Sequence, residues 1–379
     1  HGQIRRQRQM CIRDRLTPAS HAAYIDTDAE VAVVIDGHTG KVLFSKNKDK
    51  KTYPASMTKI MTTLIIFEKL ANETLSLDDK FLVSEKAWRE REGSSMFVEV
   101  DKEIRVEDLL RGIIVQSGND ACIVVAENIA GTEESFAKMM TQKAKEIGMK
   151  NTNFTNSTGM YDKDNYSTVY DIALLSMHLI NKYPQYYHLF AETEFEWSGI
   201  KQNNRNSLLY KNMGVDGLKT GHLSKSGYGL AASAVDQNRR VISVVNGFEN
   251  TQKRTQGSSR LITWAFREFT NLKLFEKDDI VGQVEISGAS KKESDVSTSE
   301  EITITIQKSK KDELTTRIVV DDNISAPLNV GDKVGYLEIS VPGEESQTYE
   351  LYATNEIDRS NIFVRFFNYL INLILSLFN

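Results

Sequence analysis

Cysteine is nearly missing from this chain: Cys11 and Cys122 are the two present in 379 residues. That excludes a disulfide framework, and Cys122, within an apolar helical stretch, reads as a small buried residue. Proline is scarce, with 5 residues, and 22 glycines are moderate for this length, which excludes collagen-like and disordered classes. No excess of positive charge exists. The net charge is −5, and residues 1–15 alone carry five Arg against one Asp, so the rest is more acidic still. A nucleic-acid binder would need a basic face, so no nucleic-acid partner is expected. The six histidines lie singly, without H-x-H or H-E-x-x-H spacing, and imply no metal; no cofactor is expected. Internal repeats are missing too.

The basic start is followed by no apolar core of seven or more residues, so residues 1–22 are not an intact secretory signal. Small residues in "ASHAAY" nevertheless suit cleavage near Ala22. Residues 1–15 read as a cloning or gene-assembly remnant standing where a signal core belongs. An apolar segment of about ten residues ahead of Ala22 in the native gene would mark export; its absence would count against it. At the other end, residues 360–379 are apolar except for Arg365, Asn368, Asn372, Ser376 and Asn379. These recur every three or four positions and form one narrow helical stripe. A core-packed helix or a short membrane span are alternatives. The expectation adopted is an amphipathic helix over 358–379 lying in the interface of the inner membrane.

Between the ends, "EVAVVIDGHTGKVLFS" reads as a hairpin, and residues 54–71, 104–130 and 133–147 as mainly helical. "STVYDIALLSMHLI" starts a helix behind a Ser/Thr cap. "GYGLAASAV" and "RVISVVNGF" form a second hairpin, followed by a helix over "TQGSSRLITWAFREF". After about residue 275 short alternating runs such as "ITITI" and "KVGYLEIS" indicate an all-β module, with "GASKKESDVSTSEE" its most loop-like part. The expected domains are 23–275 and 276–357.

Chemistry concentrates in three short motifs. S-x-x-K places a hydroxyl and an amine on one helical face. It occurs four times, at Ser45–Lys48, Ser56–Lys59, Ser135–Lys138 and Ser198–Lys201, and taken singly is an ordinary solvated pair. Ser56–Lys59 differs because it opens an apolar helix, where the positive helix end favours a nucleophile and apolar neighbours desolvate the amine. A free lysine, pKa near ~10.4, is a poor base at neutral pH; burial and a second cation both lower it. Lys219 in "GVDGLKTGHL" is the candidate cation. K-[ST]-G occurs there and again at Lys225-Ser226-Gly227. The third motif is Ser117-Gly118-Asn119, which by itself suits a loop and helix cap.

In this order, with "PASMTKIMTTLIIFE", "VQSGNDACIVVAE", "NRNSLLY" and "GVDGLKTGH" around them, the motifs resemble the low-molecular-mass penicillin-binding proteins that are D-alanyl-D-alanine carboxypeptidases. The resemblance runs from about Ala29 into the C-terminal segment. It implies a β-lactamase/transpeptidase-like α/β domain, an antiparallel sheet flanked by helices, followed by a small β-sandwich. It implies Ser56 as acylated nucleophile, Lys59 as its base and Ser117 in proton relay. Asn119 would hold the substrate amide, Lys219 supply charge, and Thr220 and Arg254 bind the terminal carboxylate. Backbone N–H groups of Ser56 and His222, next to Gly221, would form the oxyanion hole. Asp171 and Arg205 match a pair that braces the neighbouring loop. The implied partners are peptidoglycan stem peptides and β-lactams, at the periplasmic face of the cytoplasmic membrane. A class A β-lactamase fits less well, since no E-x-x-x-N lies between Asn119 and Lys219. A transpeptidase or endopeptidase shares these motifs, and a non-catalytic wall-binding relative would keep the fold.

Overall fold

The computed structural model describes residues 24–90, 92–290 and 293–361; the expected helix over 358–379 lies almost wholly outside them, as do residues 1–22. The first unit is built on a five-stranded antiparallel sheet. Its strands, in spatial order, are Val42–Lys46, Val31–Asp36, Arg239–Phe248, Gly227–Asp236 and Val215–Leu223. Both expected hairpins are present, joined side by side through Val31–Asp36 and Arg239–Phe248.

All six residues of Val31–Asp36 are buried because helices cover both faces of the sheet. Val31, Val33 and Ile35 point into a core shared with helices Lys59–Ala71, Val106–Ile114, Asn119–Ala130, Glu133–Glu146 and Val169–Lys182. Ala32 and Val34 point the other way, against helix Thr251–Glu268. That helix starts one turn earlier than the sequence reading placed it, because the Asn250 side chain accepts from Lys253 N at 2.8 Å and caps it.

The second unit packs a five-stranded antiparallel sheet against the pair Phe269–Phe275 and Ile302–Gln307. Two boundaries differ from expectation. Phe269–Phe275 pairs with Ile302–Gln307, and Leu272, Leu274 and Phe275 pack into the second core, so the units divide near residue 269 rather than 275. The stretch read as loop contains strand Glu293–Thr298, whose inward positions Ser294, Val296 and Thr298 are mostly small and polar and so hid the alternation. No helix among the described residues is long and apolar enough to cross a membrane.

One carboxylate ties the units together. Asp36, fully buried at the end of its strand, accepts from His38 N and Thr39 N in the hairpin turn, each at 3.0 Å. It also pairs with Arg239 Nε at 2.9 Å and accepts from Asn271 Nδ2 at 3.2 Å in the second unit. Arg239 in turn donates to the carbonyls of Ala265 and Phe269. The same turn reaches the second unit through Thr39 Oγ1 and Thr305 Oγ1, 2.6 Å apart. Removing one member of a buried pair strands the other charge, so Asp36→Ala is expected to lose roughly 3–5 kcal/mol of stability. Urea unfolding checks this; a loss of about 1 kcal/mol, typical of an exposed pair, would refute it.

Candidate active site

The sequence around Ser56 folds into a single 3-10 turn, Ala55–Thr58, before the helix proper begins at Lys59. Ala55 holds a φ of 50°, a conformation that L residues rarely adopt and that persists only under tertiary constraint. The constraint comes from two glycines. A Cβ on Gly159 would lie 1.9 Å from the Ala55 carbonyl oxygen, and one on Gly221 would lie 2.7 Å from that of Pro54. The loop around Thr158 and the strand of Lys219 therefore close on the serine turn from two sides. This explains the glycine of the K-T-G triplet: the sheet's edge strand must approach the serine turn backbone to backbone.

Lys59 is 1% exposed, and its amine is held by three segments. Nζ lies 2.7 Å from Asn119 Oδ1, 2.5 Å from the Thr158 carbonyl and 3.2 Å from Ser56 Oγ. Among the four S-x-x-K pairs this is the one in which the amine meets the hydroxyl. Burial pushes the Lys59 pKa below the ordinary lysine value, and the Arg205 charge adds to the fall, against opposing contributions from Cys122 and the nearby carboxylates. Lys219, 3% exposed, is pushed well below its ordinary value by burial and then by the charges of Lys59 and Arg205. The repulsion between Lys59 and Lys219 is mutual, so Lys219 is a neighbouring cation as the sequence suggested, and Arg205 is a further one that acts on both. Lys219 sits in the middle of strand Val215–Leu223.

Ser117, with φ 62°, lines the cleft together with Ser56. Asn119 opens helix Asn119–Ala130 and is used at both ends: its carbonyl takes the Lys59 proton donor, and Nδ2 donates to the Glu92 carbonyl at 2.7 Å. One Nδ2 hydrogen and one Oδ1 lone pair remain for a further contact. Asp120 is a residue the motif reading missed. Its buried carboxylate accepts from Ser95 Oγ at 2.6 Å and from the backbone N–H groups of Met96, Phe97 and Val98. It fixes the loop forming one wall of the cleft. Thr158 was missed as well; its turn signal, Asn156 accepting from Thr158 N and Gly159 N, is local and carries no mark of catalysis.

The cleft is about 800 Å³ and runs from Ser56 past Thr220, Gly221 and His222 to Arg254. Arg254 is 5% exposed, with its pKa brought down by burial to about 10. Its Nε has no partner and its Nη2 meets only the Arg205 carbonyl, at 3.3 Å, so a buried guanidinium faces the cleft without a carboxylate among the described residues. The expected pairing of Asp171 with Arg205 is not found. Asp171 accepts from Asn151 N and Thr152 Oγ1 and braces the base of the Thr158 loop. Arg205 instead lines the cleft and donates to Ser94 Oγ, bridging from the sheet side to the helical side. Among the described residues no group of three or more His, Cys, Asp or Glu is arranged to hold a metal ion.

Lys59 can serve as the base expected for Ser56 only when its amine is unprotonated; on that expectation, acylation of Ser56 should rise with pH up to the Lys59 pKa, below lysine's ordinary range. Arg205→Ala removes a repelling charge, favours the protonated amine and is expected to move that rising limb to higher pH. Stopped-flow acylation across pH reads the limb; an unmoved limb would remove Arg205 from this role.

The sequence pattern of Peptidase S11, D-alanyl-D-alanine carboxypeptidase, matches residues 17–250, and that of the penicillin-binding protein 5 C-terminal domain matches residues 269–359. The D-alanyl-D-alanine carboxypeptidase DacA of Haemophilus influenzae is 34% identical over 356 residues, covering 93% of this chain and 91% of the relative. The crystal structure of penicillin-binding protein 5 from Haemophilus influenzae superposes with a TM-score of 0.84 at 34% identity, covering 89% of this chain and 100% of that one. Penicillin-binding protein D2 of Listeria monocytogenes in its ampicillin-bound form superposes at 0.59 with 29% identity, over 64% of this chain and 99% of that one. With the motif residues gathered in one cleft and both units matched, this chain belongs to the D-alanyl-D-alanine carboxypeptidase family, Peptidase S11, with a C-terminal domain of the penicillin-binding protein 5 type.

Proposed function

We propose that the protein is a serine-type D-Ala-D-Ala carboxypeptidase that removes the terminal D-alanine of peptidoglycan stem peptides through an acyl-enzyme on Ser56. The carrying observation is the geometry at Lys59. A neutral amine has two N–H donors and one lone pair. Two fixed carbonyl acceptors, Asn119 Oδ1 and Thr158 O, take the donors. The lone pair is left for the remaining neighbour, Ser56 Oγ at 3.2 Å, so the serine O–H donates to the amine. Lys59 accepts that proton as Oγ attacks the carbonyl carbon of the D-Ala–D-Ala peptide bond. The C–N bond breaks, the proton passes to the departing D-alanine amine with Ser117 as relay, and water later hydrolyses the ester. Backbone N–H groups of Ser56 and His222 stabilise the oxyanion. Lys219 adds positive charge to the cleft. Thr220 and the unpaired Arg254 take the substrate's terminal carboxylate, the group that makes the enzyme a carboxypeptidase.

β-Lactams present a strained amide and a carboxylate to the same groups, and are expected to acylate Ser56. Intact-mass spectrometry with benzylpenicillin should show one penicilloyl adduct, mapped to the peptide containing Ser56, and none on Ser56→Ala. D-alanine release from a D-Ala–D-Ala peptide should be lost in the same variant. An adduct on another residue, or release that survives Ser56→Ala, would overturn the assignment.

The proposed location is the periplasmic face of the cytoplasmic membrane, supported by the substrate's location and by the sequence of residues 360–379, whose polar residues recur at three- and four-residue steps. Deleting residues 360–379 should release the protein from membrane fractions; a protein that stays bound would refute the anchor.

A further inference from the structure

The cleft is spanned at two places. Arg205 meets Ser94 on the Arg254 side. Beyond His222 in the other direction, Lys225 Nζ donates to Tyr161 OH at 2.8 Å and lies 4.0 Å from that ring's centroid. Lys225 belongs to the turn after strand Val215–Leu223, and Tyr161 to the loop that carries Thr158, so this contact also joins the sheet side to the helical side. Tyr53, three residues before Ser56, packs edge-on against Tyr161 with centroids 5.1 Å apart. Lys51 lies 4.0 Å over the ring of Tyr166 on the same margin. Lys51 and Lys225 are both exposed, and each rests on a neutral phenol ring with no carboxylate within 4.0 Å among the described residues. Asp162 and Asp164 follow Tyr161 in its loop; Asp162 accepts from Asp164 N at 2.7 Å, and Asp164 acts on Tyr53. Any preference for anions at this rim is therefore local to the two lysines.

The direction of the substrate gives the rim a use, resting on the carboxypeptidase reading above. Val215–Leu223 is the edge strand of its sheet, with one side unpaired. A peptide that adds to this edge antiparallel, with its terminal carboxylate at Thr220 and Arg254, runs its upstream residues past His222 toward the turn of Lys225. At about 3.3 Å per residue, the residue before D-Ala–D-Ala reaches that turn. We propose that Lys225, seated on Tyr161, which packs against Tyr53, is a specificity subsite for the acyl half of the stem peptide, selecting a side-chain carboxylate on the residue preceding D-Ala–D-Ala.

The test uses two synthetic pentapeptides that differ at the third residue alone, diaminopimelate with its side-chain carboxylate or lysine without it. Their affinities are measured by calorimetry for Ser56→Ala and for Ser56→Ala combined with Lys225→Ala or Lys225→Arg, so that no turnover is needed. Ser56→Ala is expected to prefer the diaminopimelate peptide by about fivefold, as for a partly exposed ion pair. Lys225→Ala should abolish the preference and Lys225→Arg keep it. Equal affinities in Ser56→Ala, or a preference that survives Lys225→Ala, overturns the subsite. D-alanine release by the unsubstituted protein is read in parallel. Its absence fails the carboxypeptidase reading, while the affinity difference still decides the subsite.

Discussion

Burial of the Lys59 amine is the constraint on which the rest of the site depends. A lysine that is 1% exposed loses its hydration and must find acceptors inside the protein. It finds partners on three separate segments: acceptors in Asn119 Oδ1 and the Thr158 carbonyl, and beside them the Ser56 hydroxyl. Satisfying one amine therefore brings three parts of the chain into register. The same burial lowers its pKa, so one desolvated group both assembles the site and gains the ability to accept a proton.

Holding that amine requires the backbone around it to pack closely. Gly159 and Gly221 let a loop and a strand approach the serine turn, and Ala55 keeps its positive φ between them. On the opposite wall, Asp120 replaces solvent for a hydroxyl and consecutive backbone N–H groups, so the loop of Ser95 and Met96 has no freedom to drift from the Ser-Gly-Asn segment. Such pre-organisation suits a reaction whose barrier falls when nucleophile, base and oxyanion donors are already in place.

Asp36 extends the logic beyond the site. It lies on a central strand of the first unit, yet its carboxylate serves the hairpin turn, Arg239 and Asn271 of the second unit. The sheet that carries Lys219 is thereby connected to the β module through Arg239–Phe248, the strand next to Gly227–Asp236. This polar junction joins the cleft-bearing unit to the C-terminal unit together with Thr39–Thr305 and with Lys41, which donates to the Thr305 carbonyl and pairs with Glu344.

The sequence by itself determined the local and ordered features. Apolar and β-branched runs around turn residues marked both hairpins of the first sheet, helical patterns and caps marked four stretches, of which 104–130 divides into Val106–Ile114 and Asn119–Ala130, and three motifs in order named Ser56, Lys59, Ser117, Asn119 and the Lys219 triplet. These were legible because period and spacing are properties of neighbouring residues. Tertiary structure alone decided what depends on distant partners. It assigned Phe269–Phe275 to the second unit through its pairing with Ile302–Gln307, and made a strand of Glu293–Thr298, whose small polar side chains gave no hydrophobic signal. It separated Asp171 from Arg205, turned Arg205 into the cleft, and brought a backbone carbonyl of Thr158 to the Lys59 amine. A carbonyl is common to every residue, so no side-chain pattern could have announced it; its role arises from the burial of a charge 99 residues away in the chain.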